Sequence, residues 1–590
     1  MKMLDKLRQN MQDFINAITR FPLTIIFLIL VSIFNALMIH NYQLDYENYL
    51  LVCLLGAFLS AAVVMVYERF YHGYKILIVL LVLTLALIVG YYIVFLNVEV
   101  IKEAILVRTI VMMFLLLVAF LWLPSIKSVI SFNDTFMAGF KALFIALFYT
   151  LVILLGMALI IGAIDSLLFS VASDTYLQIA NVLLGLFAPI YFLAQIPKYP
   201  GKQELDQPSN ANDLVSEQVK NAIVCPKFLV GLLSYIIIPL TSVFTLILLS
   251  YIIINLSGNF WKDDFLEVML ISYIIFVIML EILISKINNS FANLFRKYFP
   301  KILIIIVLFQ TINSFLRISN QGLTYGRYYV ILFGIFALIS GFVFSFKTIK
   351  SNGLIPAVLI ICIFISLLPY IDAFTVSKNS QINLLEDTLK ANKMLVDDTL
   401  IINDNLSEDD EDKIKTTLQY LTRMDDIQEL SWLNDDFDYY RDLEATFKIP
   451  LYNRQSVTSN QPEYYFYNND VVFISDYDFM LQTVISANEK QDSLSENYEL
   501  TNDVGTYQVI INGQDGIISL LAANGEILLA IDNSQILANF QDLQTFELTE
   551  KQATLEFANN QAAIKIVVQH LYQYYNGDFE ANVYVLIKIK

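Results

Sequence analysis

The stretch FLVGLLSYIIIPLTSVFTLILLSYIII, Phe228 to Ile254, runs for 27 residues without a charged side chain. An α-helix rises about 1.5 Å per residue, so about 20 apolar residues cross a hydrocarbon core about 30 Å thick. This segment is long enough to span, and it sets the class of the chain. Ten further segments meet the same test: residues 22–40, 49–67, 76–96, 104–124, 142–164, 177–196, 265–284, 302–319, 328–346 and 354–371. With 57% hydrophobic and 16% charged residues among 590, the composition is too apolar for a soluble protein. The expected fold is a polytopic α-helical membrane bundle of about eleven spans, followed by an α+β extracytoplasmic domain with an antiparallel sheet. Pro239, inside the first-quoted segment, lacks the N–H that a helix interior needs and predicts a kink.

The net charge of -18 is divided unevenly. Residues 1–371 hold 23 Lys and Arg against 18 Asp and Glu, whereas residues 372–590 hold 14 against 37. Alternate connections of the first part differ as sharply: 18 Lys and Arg fall on one side, and only Lys102, Lys262 and Arg327 on the other. Cytoplasmic loops retain positive charge. The N-terminus is therefore expected in the cytoplasm of a plasma-membrane, multi-pass protein, and eleven crossings place residue 372 onward outside. Four regions follow: a cytoplasmic amphipathic segment 1–21, a transmembrane domain 22–371, an outer helical region 372–450 and an outer strand-rich region 451–590. In the first of these, Leu4, Leu7, Met11, Phe14, Ile15 and Ile18 recur at helical spacing; an extension of the first span is the alternative.

Polar residues within spans need partners, because lipid offers none. Arg108, Glu267 and Arg317 lie near the outer ends of their helices. That depth makes Glu267 a feasible partner for Arg317 and excludes Glu281. Gln310, Asn313 and Arg317 are spaced i, i+3, i+7 and share one helix face, which should point into the bundle. Either they bond across helices and lock the bundle, or they line a polar pathway or an anion pocket. The polar turn after them, RISNQGLTYGRYYV from Arg317 to Val330, keeps Arg327 on the side where positive charge is scarce.

Beyond residue 372, Ile382, Leu385 and Leu389 line one helical face, with Ser377 or Ser380 as its cap. In LSEDDEDKIKTTLQYL, Ser407 and Asp410 suggest a capping box, and Glu408 to Asp412 suit a first helical turn. Calcium loops there, or at Asp435 to Asp442, would lack the glycine of an EF-hand. From Leu451 the chain reads as strands, with turns at Asn512-Gly513, Asn524-Gly525, Asn559-Asn560 and Asn576-Gly577. The terminal strand alternates Val583, Val585, Ile587 and Ile589 with Tyr584, Leu586, Lys588 and Lys590 and should pair in that sheet.

No phosphate-binding, dinucleotide, zinc-protease or nucleophile-elbow motif is present. The three histidines are scattered, and the acidic region holds no cysteine. No catalytic residue, metal site or cofactor is predicted. QGLTYGRYYV resembles the signature of a bacterial multi-pass membrane family known only as domain of unknown function four-one-five-three. Gly322, Leu323, Thr324, Arg327 and Tyr328 carry the match. SYIIIPLTSVFTLILLSYIII and PYIDAFTVSKNSQINLLEDTLKANKML are similar to two further family segments, and the resemblance is strongest over the last five spans and the outer helices. It implies a membrane location and no established activity. The candidate cluster is Arg108, Glu267, Gln310, Asn313, Arg317, Gly322, Thr324, Arg327 and Tyr328. Expected partners are the lipid bilayer and an envelope polymer, anionic ligand or protein, with no nucleic acid. The leading expectation is an envelope binding or sensing protein; the alternatives are a transporter or channel, and a membrane enzyme acting on a lipid-linked substrate.

Overall fold

The computed structural model describes residues 12–41, 46–95, 102–172, 174–206, 214–255, 264–397, 399–403, 405–434, 436–449, 463–466, 477–487, 496–502, 505–512, 517–537, 539–540, 548–573 and 579–590. The chain forms two compact units, Met1–Ile449 and Pro450–Lys590.

In the first unit, ten helices among the described residues are long and apolar enough to cross a membrane. They are α1 Pro22–His40, α2 Glu47–Phe70, α3 Tyr74–Phe95, α4 Glu103–Trp122, α5 Phe132–Leu167, α6 Asp174–Gln195, α7 from Lys227 to Asn255, α8 Asp264–Ile284, α9 Ser290–Gln321 and α10 Tyr325–Phe346. The eleventh predicted span, 354–371, is a helix only over Leu354–Ile365, here α11. It still joins the two ends of the bundle. Before it, Asn352 Nδ2 donates to Asn133 Oδ1 at 3.2 Å, and after it Asp372 accepts from Arg108 at 2.6 Å. Turns after Ser366 replace the missing helical residues.

Two helices begin earlier than hydropathy predicts. α5 starts at Phe132, capped by the Ser131–Asp134 box, and α9 starts at Ser290, where the Asn289 side chain accepts from Ala292 N at 2.8 Å. Residues 12–20 are helical, whereas Leu4, Leu7 and Met11 of the predicted amphipathic segment lie outside the described residues. Ahead of Pro239, α7 contains a π-helical turn, Leu233–Ile237, so the helix accommodates the proline by widening.

One end of the bundle, here the basic end, is held by two largely buried arginines and by ion pairs to buried carboxylates. Arg69, 1% exposed, donates to Ile126 O (2.8 Å), Lys127 O (2.6 Å), Gly201 O (2.9 Å) and Glu204 Oε2 (2.8 Å). Gly201, at φ +67°, permits this closure, because a Cβ there would lie 2.4 Å from Glu68 O. Beside it, Arg20 pairs with both oxygens of Glu68 at 2.8 and 2.7 Å. Lys286 reaches Asp134 at 2.5 Å.

The chain continues into α12 Ala373–Ala391, α13 Glu408–Met424 and α14 Tyr439–Phe447. Ser407 caps α13 as expected, accepting from Asp410 N at 3.2 Å. The cap of α12 is Asp372, whose Oδ1 accepts from Phe374 N and Thr375 N at 3.1 and 3.2 Å. Ser377 and Ser380 thus sit inside that helix, a correction to their expected capping role. A carboxylate at the first available position satisfies two free N–H groups and the helix dipole together.

The second unit holds β1 Glu463–Tyr465, β2 Phe479–Ala487, β3 Glu496–Thr501, β4 Thr506–Ile511, β5 Ile518–Ala522, β6 Ile527–Ile531, β7 Thr554–Ala558, β8 Ala562–Gln573 and β9 Phe579–Ile589. All pairing is antiparallel: β1-β8-β9-β2 with β7 also on β8, and the meander β3-β4-β5-β6. Both sheets contribute to one apolar core. The Asn524-Gly525 turn joins β5 to β6 with Gly525 at φ +82°, and Asn559-Asn560 joins β7 to β8. Residues 513–516 and 576–577 of two other predicted turns lie outside the described residues. The terminal strand pairs on both sides, burying Val583, Val585 and Ile587 fully.

Candidate functional site

The turn between α9 and α10 organises the other end of the bundle. α9 stops at Gln321 because Gly322 takes φ +69°, ψ 173°, a conformation essentially restricted to glycine. Thr324 then caps α10, its side chain accepting from Arg327 N at 3.4 Å. α12 lies across this turn. Gln381 Nε2 donates to Gln321 O and Leu323 O at 3.1 and 3.3 Å, and Leu323 N donates to Ser380 Oγ at 3.0 Å. A Cβ on Gly322 would meet Gln381 Nε2 at 2.7 Å and Leu384 Cδ2 at 3.0 Å. Glycine is required by both the backbone angle and the close approach.

Around the turn, aromatic rings and ion pairs tie α12 and α13 to the bundle. Tyr325 stacks on Phe374, with ring centroids 5.1 Å apart, and its hydroxyl donates to Glu103 Oε1 at 2.5 Å. Its backbone N–H donates to Tyr420 OH at 3.2 Å. Arg423 approaches Glu103 Oε2 at 3.3 Å and lies 5.9 Å from the Tyr325 and Tyr420 ring centroids. Arg108 pairs with Asp372 at 2.6 Å and sits 5.0 Å from the centre of the Phe374 ring. Tyr328 OH donates to Ile371 O at 2.7 Å, and Lys102 meets Asp425 at 2.5 Å. Burial pushes the Asp372 carboxyl upward, but hydrogen bonds from Thr375 and Arg108 outweigh it and hold the group below the ordinary carboxylate range.

The polar stripe of α9 lies inside the bundle: Gln310, Asn313, Ser314 and Arg317 are all buried. Glu267 Oε1 accepts from Gln310 Nε2 at 3.1 Å and from Ser314 Oγ at 3.0 Å. Arg327 turns back on its own loop, donating to Gly322 O at 3.1 Å and to Gln321 Oε1, and lies within electrostatic reach of Glu267. The predicted residues therefore fall into two groups. Arg108, Gly322, Thr324 and Tyr328 serve the dock with α12 and α13; Glu267, Gln310, Asn313 and Arg317 form the buried stripe; Arg327 stands between.

The family model described as domain of unknown function (DUF4153) matches residues 15–410. The chain belongs to this family. The match takes in every bundle helix, including the first six, where the resemblance is less evident by eye, and extends through α12 into the first turn of α13. No curated protein and no solved structure matches the chain. Within this DUF4153 protein the dock uses residues that sequence reasoning did not single out: Glu103, Asp372, Phe374, Gln381, Tyr420 and Arg423. Asp372 carried a legible signal, an Asp directly before a helical pattern; the others depend on contacts distant in sequence. Among the described residues of this DUF4153 chain, no group of three His, Cys, Asp or Glu is placed to hold a metal ion.

Proposed function

We propose that this protein is a binding or sensing component of a bacterial envelope, in which the bundle carries an acidic outer domain and responds to its occupancy. The observation that supports this most directly is the dock itself. Residues from α4, the α9–α10 turn and α10 all hold α12 and α13, so a load on the outer helices acts on three bundle helices together. The excess of 23 negative charges beyond residue 371 suits a cationic partner, such as a basic protein segment or divalent ions bridging an anionic envelope polymer. The positive-charge bias of the loops supports a position for that domain outside the plasma membrane. Full-length protein in nanodiscs, titrated with oligolysine and with magnesium and calcium, tests the reading. Binding should alter hydrogen exchange in residues 321–328 as well as in the acidic domain. Absence of binding by all three probes, or binding that leaves those amides unchanged, overturns it.

A second reading, a transporter or channel, is favoured by one specific feature. Asn313 is fully buried, and neither atom of its amide has a partner among the described residues. A polar group in that position is costly unless water or a solute satisfies it. Solute flux in proteoliposomes should then fall with Asn313→Leu and Arg317→Ala; unchanged flux removes this reading.

A further inference from the structure

Glu281 lies in the last turn of α8 and is 3% exposed. Val277, Ile278, Leu280 and Leu283 around it are at most 5% exposed and belong to an apolar core of the bundle. Its Oε1 is buried and has no hydrogen-bond partner among the described residues. An ionised carboxylate without donors in such a place is far costlier than the neutral acid. The position adds to that cost, because the last turn of a helix presents carbonyl oxygens whose dipole disfavours negative charge.

Helices α5, α7, α9 and α10 pack against α8. From α9, Arg296 acts electrostatically on Glu281. Its guanidinium, however, is turned to the end of α8, donating to Ser285 O, to Ile287 O at 3.0 Å, to Ile284 O at 3.5 Å and to Asn293 Oδ1 at 2.5 Å. The charge is therefore set against carbonyl dipoles rather than against the carboxyl. The other ionisable groups near that end are engaged or exposed. Asp134 of α5 pairs with Lys286, Lys141 of α5 donates to three carbonyls, and Tyr273 of α8 itself bonds Thr245 Oγ1 at 2.8 Å. Lys227 and Tyr235 of α7 and Lys297, Tyr298 and Lys301 of α9 are exposed, and α10 carries no ionisable residue from Val330 to Phe346. The route to water is short. Lys286, just beyond the end of α8, is exposed, and the turn into α9 is held by Asn289, whose side chain caps α9 and donates to Ser234 Oγ of α7 at 2.6 Å.

We propose that Glu281 is a proton-binding site of the bundle, occupied in this conformation, which exchanges its proton with water at the basic end when the α8–α9 turn opens. On release the carboxyl O–H bond breaks, the proton passes to water, and the carboxylate takes Arg296 as its counter-charge. The ligand is a proton rather than a divalent cation, because among the described residues no group of three metal-ligating side chains includes Glu281. Ionisable residues inside spanning helices serve as proton relays in other membrane proteins, and the same solvation argument applies here.

The test is infrared spectroscopy of the full-length protein in nanodiscs. Near neutral pH the wild type should show a protonated-carboxyl C=O band that Glu281→Gln removes and Glu281→Asp displaces. In D2O that band moves as the acid proton exchanges, and the exchange should be several-fold faster in Asn289→Ala, which releases the turn. Arg296→Gln should retain the band at pH values where the wild type has lost it, because the carboxylate loses its counter-charge. A spectrum that Glu281→Gln leaves unchanged overturns the proposal. So does an exchange rate indifferent to Asn289→Ala, or a band lost at the same pH in Arg296→Gln as in the wild type. Should Glu281→Gln fail to fold, Glu281→Asp decides, and an undisplaced band overturns the site.

Discussion

At the basic end of the bundle, Arg69 and Arg20 are largely buried and donate to backbone carbonyls; at the end that meets α12 and α13, Lys102, Arg108 and Arg423 are more exposed. Arg69 and Glu204 are 1% and 3% exposed, whereas both partners of the Lys102–Asp425 pair are 55% exposed. The contrast matters because a buried pair broken on one side leaves an uncompensated charge, while an exposed pair breaks at almost no cost. Arg69, in the last turn of α2, joins the loops after α4 and α6 in one knot. The basic end should accordingly be held more tightly than the dock.

The largest effect should come from the knot. Arg69→Met removes four hydrogen bonds and leaves Glu204 with the donors Ser128 Oγ and Val129 N but no counter-charge, with an expected loss of about 3–5 kcal/mol for a broken buried pair. Thermal unfolding in detergent measures it. Arg69→Met combined with Glu204→Gln should recover part of the loss, and a double mutant no better than the single would mean that the carbonyl contacts, not the ion pair, carry the stability. Gly322→Ala comes next. It forces a side chain into a glycine-only backbone region, at a cost of about 1–3 kcal/mol, and drives a methyl group toward Gln381 and Leu384. Proteolysis or hydrogen exchange should show α12 loosened while the basic end stays protected; simultaneous loosening of both ends would break the division proposed here.

Much of this molecule was legible because hydrocarbon imposes a simple length rule. Where that rule started α5 too late, the cause was charge satisfied inside the protein. Phe132 to Lys141 contains Asp134 and Lys141, which a hydropathy count rejects, yet Asp134 pairs with Lys286, and Lys141 donates to the carbonyls of Asn221, Ala222 and Val224. The stripe of Gln310, Asn313 and Arg317 was readable from helical spacing alone. The partner of Arg108 was not, since Asp372 lies 264 residues away and only the path of α11 brings it back. Arg69 looked like one more interfacial cation, and nothing local in the sequence announced that two loops converge on it.

A gentler perturbation concerns Asp426, beside the dock. Burial raises its carboxyl from an ordinary value of 3.8 to about 6; Lys378 and Lys102 oppose the shift, and Glu429 and Asp425 reinforce it. Between those two values the folded state holds a proton that the unfolded chain releases. The stabilising contribution is therefore complete below pH 3.8 and is lost as pH rises through about 6. Asp426→Asn should flatten this slope and stabilise α13 near neutrality by about 1 kcal/mol, after allowance for solvent screening. Hydrogen exchange of α13 as a function of pH reads the effect, and an unchanged slope in the variant would assign the dependence to another group.

The smallest effect should belong to Lys102 and Asp425, although their 2.5 Å separation is among the shortest ion-pair distances at the dock. Short distance does not confer strength when both groups remain in water, because the gain in attraction is offset by side-chain ordering and by counter-ions. Lys102→Gln should therefore cost less than about 0.5 kcal/mol, and that cost should vanish in high salt. Arg108→Gln provides the internal contrast, since Asp372 is 5% exposed and also caps α12, so its loss should persist in salt. Comparison of the two variants by hydrogen exchange of α12, at low and high ionic strength, separates rim contacts from the dock proper. If Lys102→Gln proved as damaging as Arg108→Gln and equally indifferent to salt, the dock would be as rigid as the basic end, and the contrast between the two ends would no longer hold.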